Sequence, residues 1–258
     1  ILFLGNQGVL VFRQTKVGGF QVVPENSTII AERLSVSYIE YSQTIFRPWG
    51  EKKEIHALDS IDFNIERGDV VGLIGRNGAG KSTLLKTIAG LLRPSGGRVR
   101  TFGRVILLAG ADPGFFPDST GMENILELAK AYGIGDGEIV DFVDSIIEFA
   151  DLGEAIDRNV RGYSTGMKGK LGFGFMTALN PEILLIDETL GVGDAEFRTK
   201  AQSRLREFVG RSGSVIISTH SIGLAKEICN RGLVVDSGKI VADEEINDAM
   251  LEYRKLIS

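Results

Sequence analysis

Apolar positions change their period several times along the chain, and each change marks an element. Between Ile29 and Tyr41, Leu34, Val36 and Tyr38 alternate with Ser35 and Ser37, which predicts a half-buried strand. Ile61, Phe63 and Ile65 alternate with Ser60, Asp62, Asn64 and Glu66 and predict a second. Four runs are apolar, or nearly so, without alternation: Val70-Val71-Gly72-Leu73-Ile74, Val105-Ile106-Leu107-Leu108, Ile183-Leu184-Leu185-Ile186 and Val215-Ile216-Ile217-Ser218. Runs of that kind suit strands covered on both faces, so the pattern predicts a parallel core sheet with a small antiparallel layer beside it. Helical spacing appears over residues 83–92 and through Ile125, Leu126, Leu128, Ala129 and Tyr132. It returns in Ile139, Phe142, Val143, Ile146 and Ile147, making residues 121–150 a helical region. A further helix starts near Asp194 with Phe197, Ala201, Leu205 and Phe208 on one face, and a closing helix carries Ile246, Ala249, Met250, Tyr253 and Leu256. Residues 44–54, with Pro48, Trp49 and Gly50, read as a loop or short insertion; Pro94-Ser95-Gly96-Gly97 reads as a turn and Ser237-Gly238 as a hairpin. Residues 1–27 stay unassigned, and no repeat or low-complexity tract is visible.

Composition narrows the class. A chain of 258 residues, 43% hydrophobic, can bury a sizeable core. Its net charge of −5 argues against general attachment to nucleic acid. The single cysteine, Cys229, allows no internal disulfide and suits a reducing compartment, and two histidines, His56 and His220, cannot build a histidine-rich metal site. The apolar opening is interrupted by Gly5, Asn6, Gln7 and Gly8 well before a membrane-spanning length of about 20 residues. Neither a transmembrane segment nor a cleaved signal peptide is expected, and the missing initial Met suggests a truncated or processed start.

The candidate chemistry begins at Gly75-Arg76-Asn77-Gly78-Ala79-Gly80-Lys81-Ser82-Thr83, which fills the G-x-x-x-x-G-K-[ST] pattern between a buried strand and a helix. Glycines let the backbone bring its N–H groups against a polyphosphate, and the helix dipole presents its positive end to the same anion. Lys81 is expected to reach the outer phosphates and the Ser82 hydroxyl to ligate Mg²⁺. About a hundred residues on, a buried strand ends in Asp187 and Glu188. Asp187 would hold Mg²⁺ through its water shell, and Glu188 would orient or deprotonate the attacking water. Loop and acids together imply hydrolysis of a nucleoside triphosphate.

Between them lies Tyr163-Ser164-Thr165-Gly166-Met167-Lys168, at the head of a helix through Leu171, Phe175 and Ala178. In order and position this string resembles the signature sequence of ATP-binding cassette (ABC) transporter nucleotide-binding subunits, usually Leu-Ser-Gly-Gly-Gln. Ser164 and Gly166 match; Tyr163, Thr165 and Met167 depart, in a way that looks like the branch exporting bacterial cell-surface polysaccharides. Ser164 would cap a helix whose N–H groups can take a phosphate. The resemblance covers about residues 29–242. It implies an α/β fold, a P-loop NTPase with an ABC-type ATPase core, an antiparallel β subdomain and an inserted α-helical subdomain at about 113–180. The ATPase domain would occupy 28–258, after an unassigned extension over 1–27.

What the resemblance implies for other residues follows motif by motif. Tyr38 stands where the family places a ring under adenine, with Tyr41 competing for that role. Asp194, in Gly191-Val192-Gly193-Asp194, matches the aspartate loop, and His220 the switch histidine on the terminal phosphate. Ala111 stands where most members have a glutamine that contacts Mg²⁺ and the attacking water, so coordination there must rely on water or a neighbour. Two copies would face each other head to tail, with Ser164 and Gly166 of one acting on the ATP of the other. A separate membrane permease would supply the path, placing this subunit at the cytoplasmic face of the membrane. Phe115 and Phe116 are the candidates for touching that permease, with burial in the core as the competing fate. The expected activity is ATP hydrolysis driving export of a lipid-linked polysaccharide such as an O-antigen, teichoic acid or galactan. No carbohydrate-binding domain is expected after the closing helix. A soluble ATPase acting on ribosomes or DNA, another export substrate, and a non-hydrolysing regulatory module are the competing readings.

Overall fold

The computed structural model describes residues 26–44, 47–109, 113–187, 195–210, 213–219 and 222–257. Six strands form one sheet. β3 (Val70–Ile74), β5 (Val105–Ala109), β6 (Ile183–Asp187), β7 (Ser214–Ser218) and β8 (Arg231–Asp236) are parallel, and β9 (Lys239–Glu245) closes the edge antiparallel to β8. The order is β5-β6-β7-β3-β8-β9. Each central strand sends alternate side chains into two cores. Val71, Leu73, Leu107, Leu185, Ile216 and Val235 face one, with Leu84 and Leu85. Ile74, Ile106, Leu108, Leu184, Ile186, Val215 and Val234 face the other, with Ile125, Phe142, Phe175 and Leu205. Burial on both faces explains why these strands read as unbroken apolar runs.

The first core is roofed by α1 (Lys81–Ile88) and by an antiparallel sheet of β2 (Arg47–Glu66), β1 (Ser27–Thr44) and β4 (Gly96–Thr101), in the order β2-β1-β4. Two expectations are corrected here. Residues 44–54 are not a loop: β1 and β2 pair through Tyr41 with Lys52, Ser42 with Glu51, and Thr44 with Arg47. Pro48 and Gly50 are tolerated because they lie in the outer reach of the β1–β2 ribbon, on which no third strand pairs there among the described residues. The Gly96-Gly97 turn is also the start of β4, which pairs with β1 from Gly96 opposite Ser35 to Thr101 opposite Ile29. The glycine is needed because Gly97 has φ 65° and a Cβ there would lie 2.0 Å from the Arg33 carbonyl oxygen.

The second core is covered by α2 (Gly121–Ala131), α3 (Ile139–Ala150), α4 (Thr165–Ala178), α5 (Ala195–Gly210), α6 (Ile222–Ile228) and α7 (Ile246–Ile257). Six buried aromatic or apolar residues of α3 to α5 form its middle: Phe142, Phe149, Phe173, Phe175, Met176 and Phe197. Phe142 meets Phe175 edge to face at 5.3 Å, and Phe173 meets Phe197 at 5.9 Å. The first helix is shorter than its sequence pattern: it runs from Lys81 to Ile88, caps at Ala89, and Gly90 (φ 75°) turns Leu91 and Leu92 out of it. Among the described residues no helix is long and apolar enough to cross a membrane.

Candidate functional site

The phosphate-binding loop sits at the carboxyl end of β3, in the middle of the parallel sheet. Its glycines do different jobs. A Cβ on Gly75 would lie 2.2 Å from the Val235 carbonyl oxygen, and one on Gly80 (φ 110°) 2.4 Å from the Ala57 carbonyl oxygen. These two therefore let the loop close against the sheet. Gly78 has φ 79° and open space around its Cα, leaving the loop's outer side free for a ligand. The Gly238 N–H donates to the Ala79 carbonyl at 3.0 Å and the Asp59 N–H to the Gly238 carbonyl at 2.9 Å. The β8–β9 hairpin, turning at Ser237-Gly238 as expected, thus fixes the loop from behind. Ala79 is buried and Asn77 is exposed.

Lys81 opens α1 with its side chain buried. Its ammonium donates to the Gly75 carbonyl at 2.8 Å and to the Arg76 carbonyl at 3.0 Å. The loop is curled round this cation. The N-cap residue, Gly80, has no side chain to cap the amino end of α1, and no acid stands in its first turn, so the positive end of the helix faces the loop's concavity. Ser82 and Thr83 follow, half-buried. The Tyr38 hydroxyl lies 3.3 Å from the Thr83 hydroxyl, which brings a 44% exposed ring to the rim of the loop. The Tyr41 side chain lies outside the described residues.

Asp187 ends β6 two strands from β3. Asp187, Ser218 of β7 and Leu73 of β3 stand in register, spanning roughly 10 Å at the usual strand spacing. Asp187 Oδ1 and Ser218 Oγ are both buried and have no hydrogen-bond partner among the described residues. Two unsatisfied oxygens side by side at the mouth of the sheet fit a hydrated cation, whose water shell donates to both. Among the described residues no group of three histidines, cysteines or carboxylates could hold a metal ion alone. Ser218 was not legible as a site residue, since in sequence it is only the polar end of an apolar run. Glu188, Asp194, His220 and Ala111 lie outside the described residues.

Ser164 and Gly166 stand at the amino end of α4. Ser164 is the N-cap, its Oγ accepting the Met167 N–H at 3.2 Å, and it is exposed. A Cβ on Gly166 would meet nothing nearer than Ser164 Oγ at 3.8 Å, so this helix head is open. Tyr163, one of the three departures from the usual signature, is buried, and its hydroxyl donates to the Ala155 carbonyl at 2.6 Å. Burial raises its pKa, which keeps the phenol protonated as a donor. Phe115 and Phe116 part company: Phe115 is core, whereas Phe116 is 46% exposed.

The family model described as ABC transporter matches residues 58–191. Among curated proteins, the chain is 34% identical to ABC transporter protein AbcA of Aeromonas salmonicida, over 87% of this chain and 76% of that one. It is 40% identical to the O-antigen export system ATP-binding protein RfbB of Klebsiella pneumoniae, over 71% of this chain and 75% of that one. It is also 40% identical to the teichoic acids export ATP-binding protein TagH of Lactococcus lactis, over 80% of this chain but only 44% of that one. The chain therefore spans less than half the length of some relatives it matches and about three quarters of others. Among solved structures, an ATP-binding subunit of an ABC transporter superposes with TM-score 0.73 at 23% identity, covering 88% of this chain and 94% of that one. A dimeric ATP-binding cassette in a post-hydrolysis state with ADP and Pi gives 0.70 at 21% identity, covering 84% and 98%. At these identities the likeness shows the fold.

Proposed function

Because the chain belongs to the ABC transporter family and carries its ATPase domain, we propose that it is the ATP-hydrolysing subunit of an exporter of a lipid-linked cell-surface polysaccharide. The observation that carries the hydrolytic part is the conjunction at one end of the sheet: a loop curled on Lys81, an uncapped helix head, and the orphaned oxygens of Asp187 and Ser218. The export part rests on relatives named for O-antigen and teichoic acid export. The ATPase domain is read as residues 28–258, with a helical subdomain at about 113–180.

In this reading ATP seats its phosphates on the N–H groups of residues 75–83. Lys81 exchanges its carbonyl partners for phosphate oxygens, and the Tyr38 ring stacks against adenine. Ser82, Asp187 and Ser218 would hold Mg²⁺, which would supply positive charge against the phosphates. Glu188 takes a proton from the attacking water. The new bond forms from that water to the γ-phosphorus as the bond to the β-bridging oxygen breaks, giving ADP and inorganic phosphate, and His220 contacts the transferred group. Ser164 and Gly166 of a second copy close the site from across the dimer, with Asp194 between the copies. Separate permease subunits carry the polysaccharide. The subunit is peripheral to them at the cytoplasmic face of the membrane.

Turnover of ATP by the protein copurified with its polytopic membrane partner tests this. Glu188→Gln should cut turnover by about 100-fold or more while ATP stays bound. A variant as fast as the parent removes the assignment, and absence of any membrane partner in the purified complex favours a soluble or regulatory ATPase.

A further inference from the structure

A buried asparagine outside the nucleotide site holds one of the two segments that meet behind the signature serine. Asn124, in the first turn of α2, is fully buried. Its Oδ1 accepts the Phe116 N–H at 2.7 Å; its Nδ2 donates to the carbonyls of Phe116 at 3.0 Å, Ser119 at 3.3 Å and Thr120 at 2.8 Å. One amide therefore satisfies four backbone groups of the turn 116–120 and is itself fully satisfied. Thr120 and Glu123 add a reciprocal capping box where the turn enters α2.

That turn is strapped to the lead-in of α4. The Arg161 N–H donates to the Pro117 carbonyl at 2.9 Å, the Val160 N–H to the Ser119 carbonyl at 3.0 Å, and the Gly121 N–H to the Arg158 carbonyl at 3.3 Å. Thr120 and Asn159 form an antiparallel bridge, and Arg161 pairs with Asp118. The next joint is closed as well. The Tyr163 hydroxyl, anchored on the Ala155 carbonyl, and Ile156 fill the place a side chain on Gly121 would need. Ser164 follows directly. From the Asn124 amide to the Ser164 hydroxyl every link is hydrogen-bonded or packed.

We infer that Asn124 is a positioning residue for Ser164, setting the place from which the serine reaches the nucleotide of the second copy. The inference rests on the two-copy reading proposed above. It has a consequence that a merely structural role does not share: loss of Asn124 damages the partner's ATP site, not the chain's own.

Purified heterodimers of differently tagged full-length chains separate the cases. In one arm Asn124→Ala is in one chain and Lys81→Ala in the other, which leaves one site with an intact loop and an intact signature. In the second arm both substitutions share a chain opposite the parent, which leaves no such site. The first arm should turn over ATP about 10-fold or more faster than the second. Equal rates, or the reverse order, overturn the inference. Ser164→Ala in place of Asn124→Ala is the control: if it fails to give the same ordering, the two-copy reading itself falls. Should Asn124→Ala not fold, Asn124→Ser, which keeps one donor and one acceptor, replaces it. In the homodimer the variant should bind ATP as the parent does and lose kcat.

Discussion

Lys81 shows how a single residue holds a loop ready for its ligand. A buried ammonium must be paired, and here its described partners are the carbonyls of Gly75 and Arg76. Phosphate oxygens are stronger partners than carbonyls, so the exchange favours the bound state. Lys81→Ala should weaken ATP binding by about 2 kcal/mol, some 30-fold in Kd, by calorimetry with a non-hydrolysable analogue. Cys229 gives a prediction of another kind. Burial pushes its thiol up to about 12 from an ordinary 9.0, so the native protein should resist iodoacetamide at pH 8 and react once unfolded. The unfolded chain ionises this thiol above pH 9 while the native one stays protonated. Its contribution to stability is therefore complete below pH 9 and is lost between pH 9 and 12, readable as a falling denaturation midpoint. Much at this scale was legible, because Lys81, Ser82, Asp187 and Ser164 lie in short strings whose spacing is itself the signal. Ser218 and Asn124 were not. Their meaning comes from what stands beside them in the next strand or the next turn, and no local pattern carries that.

At the scale of elements, the apolar runs became parallel strands and the spaced ones helices, since both signals depend only on which faces are covered. The misreadings came from glycine and proline. Pro48 and Gly50 belong to the outer β1–β2 ribbon, and Gly97 is the second residue of β4, where its positive φ lets the backbone cross the Arg33 carbonyl. Breakers mark a departure from ideal geometry, which a ribbon or a bulged pair can accommodate as well as a loop can. Gly97→Ala should destabilise the fold by about 2 kcal/mol or more, measured by chemical denaturation, with the antiparallel sheet opening first in hydrogen exchange. An unchanged midpoint would mean that β4 is not held against β1 at this point. Removing the capping box by Thr120→Ala should cost about 1 kcal/mol by the same measurement.

At the scale of the molecule, the sheet is a partition between two cores. One side carries the antiparallel sheet and α1; the other carries the helices that present Ser164. The phosphate loop and the exposed head of α4 are thus two helix amino ends presented by one chain. In the proposed head-to-tail pair each nucleotide would meet one of each. The most direct measurement is the mass in solution of Glu188→Gln with saturating MgATP, by light scattering. The account predicts twice the 28.0 kDa of the chain, returning to 28.0 kDa when Lys81→Ala is added or nucleotide is removed. A particle that retains ATP and stays at 28.0 kDa would contradict it.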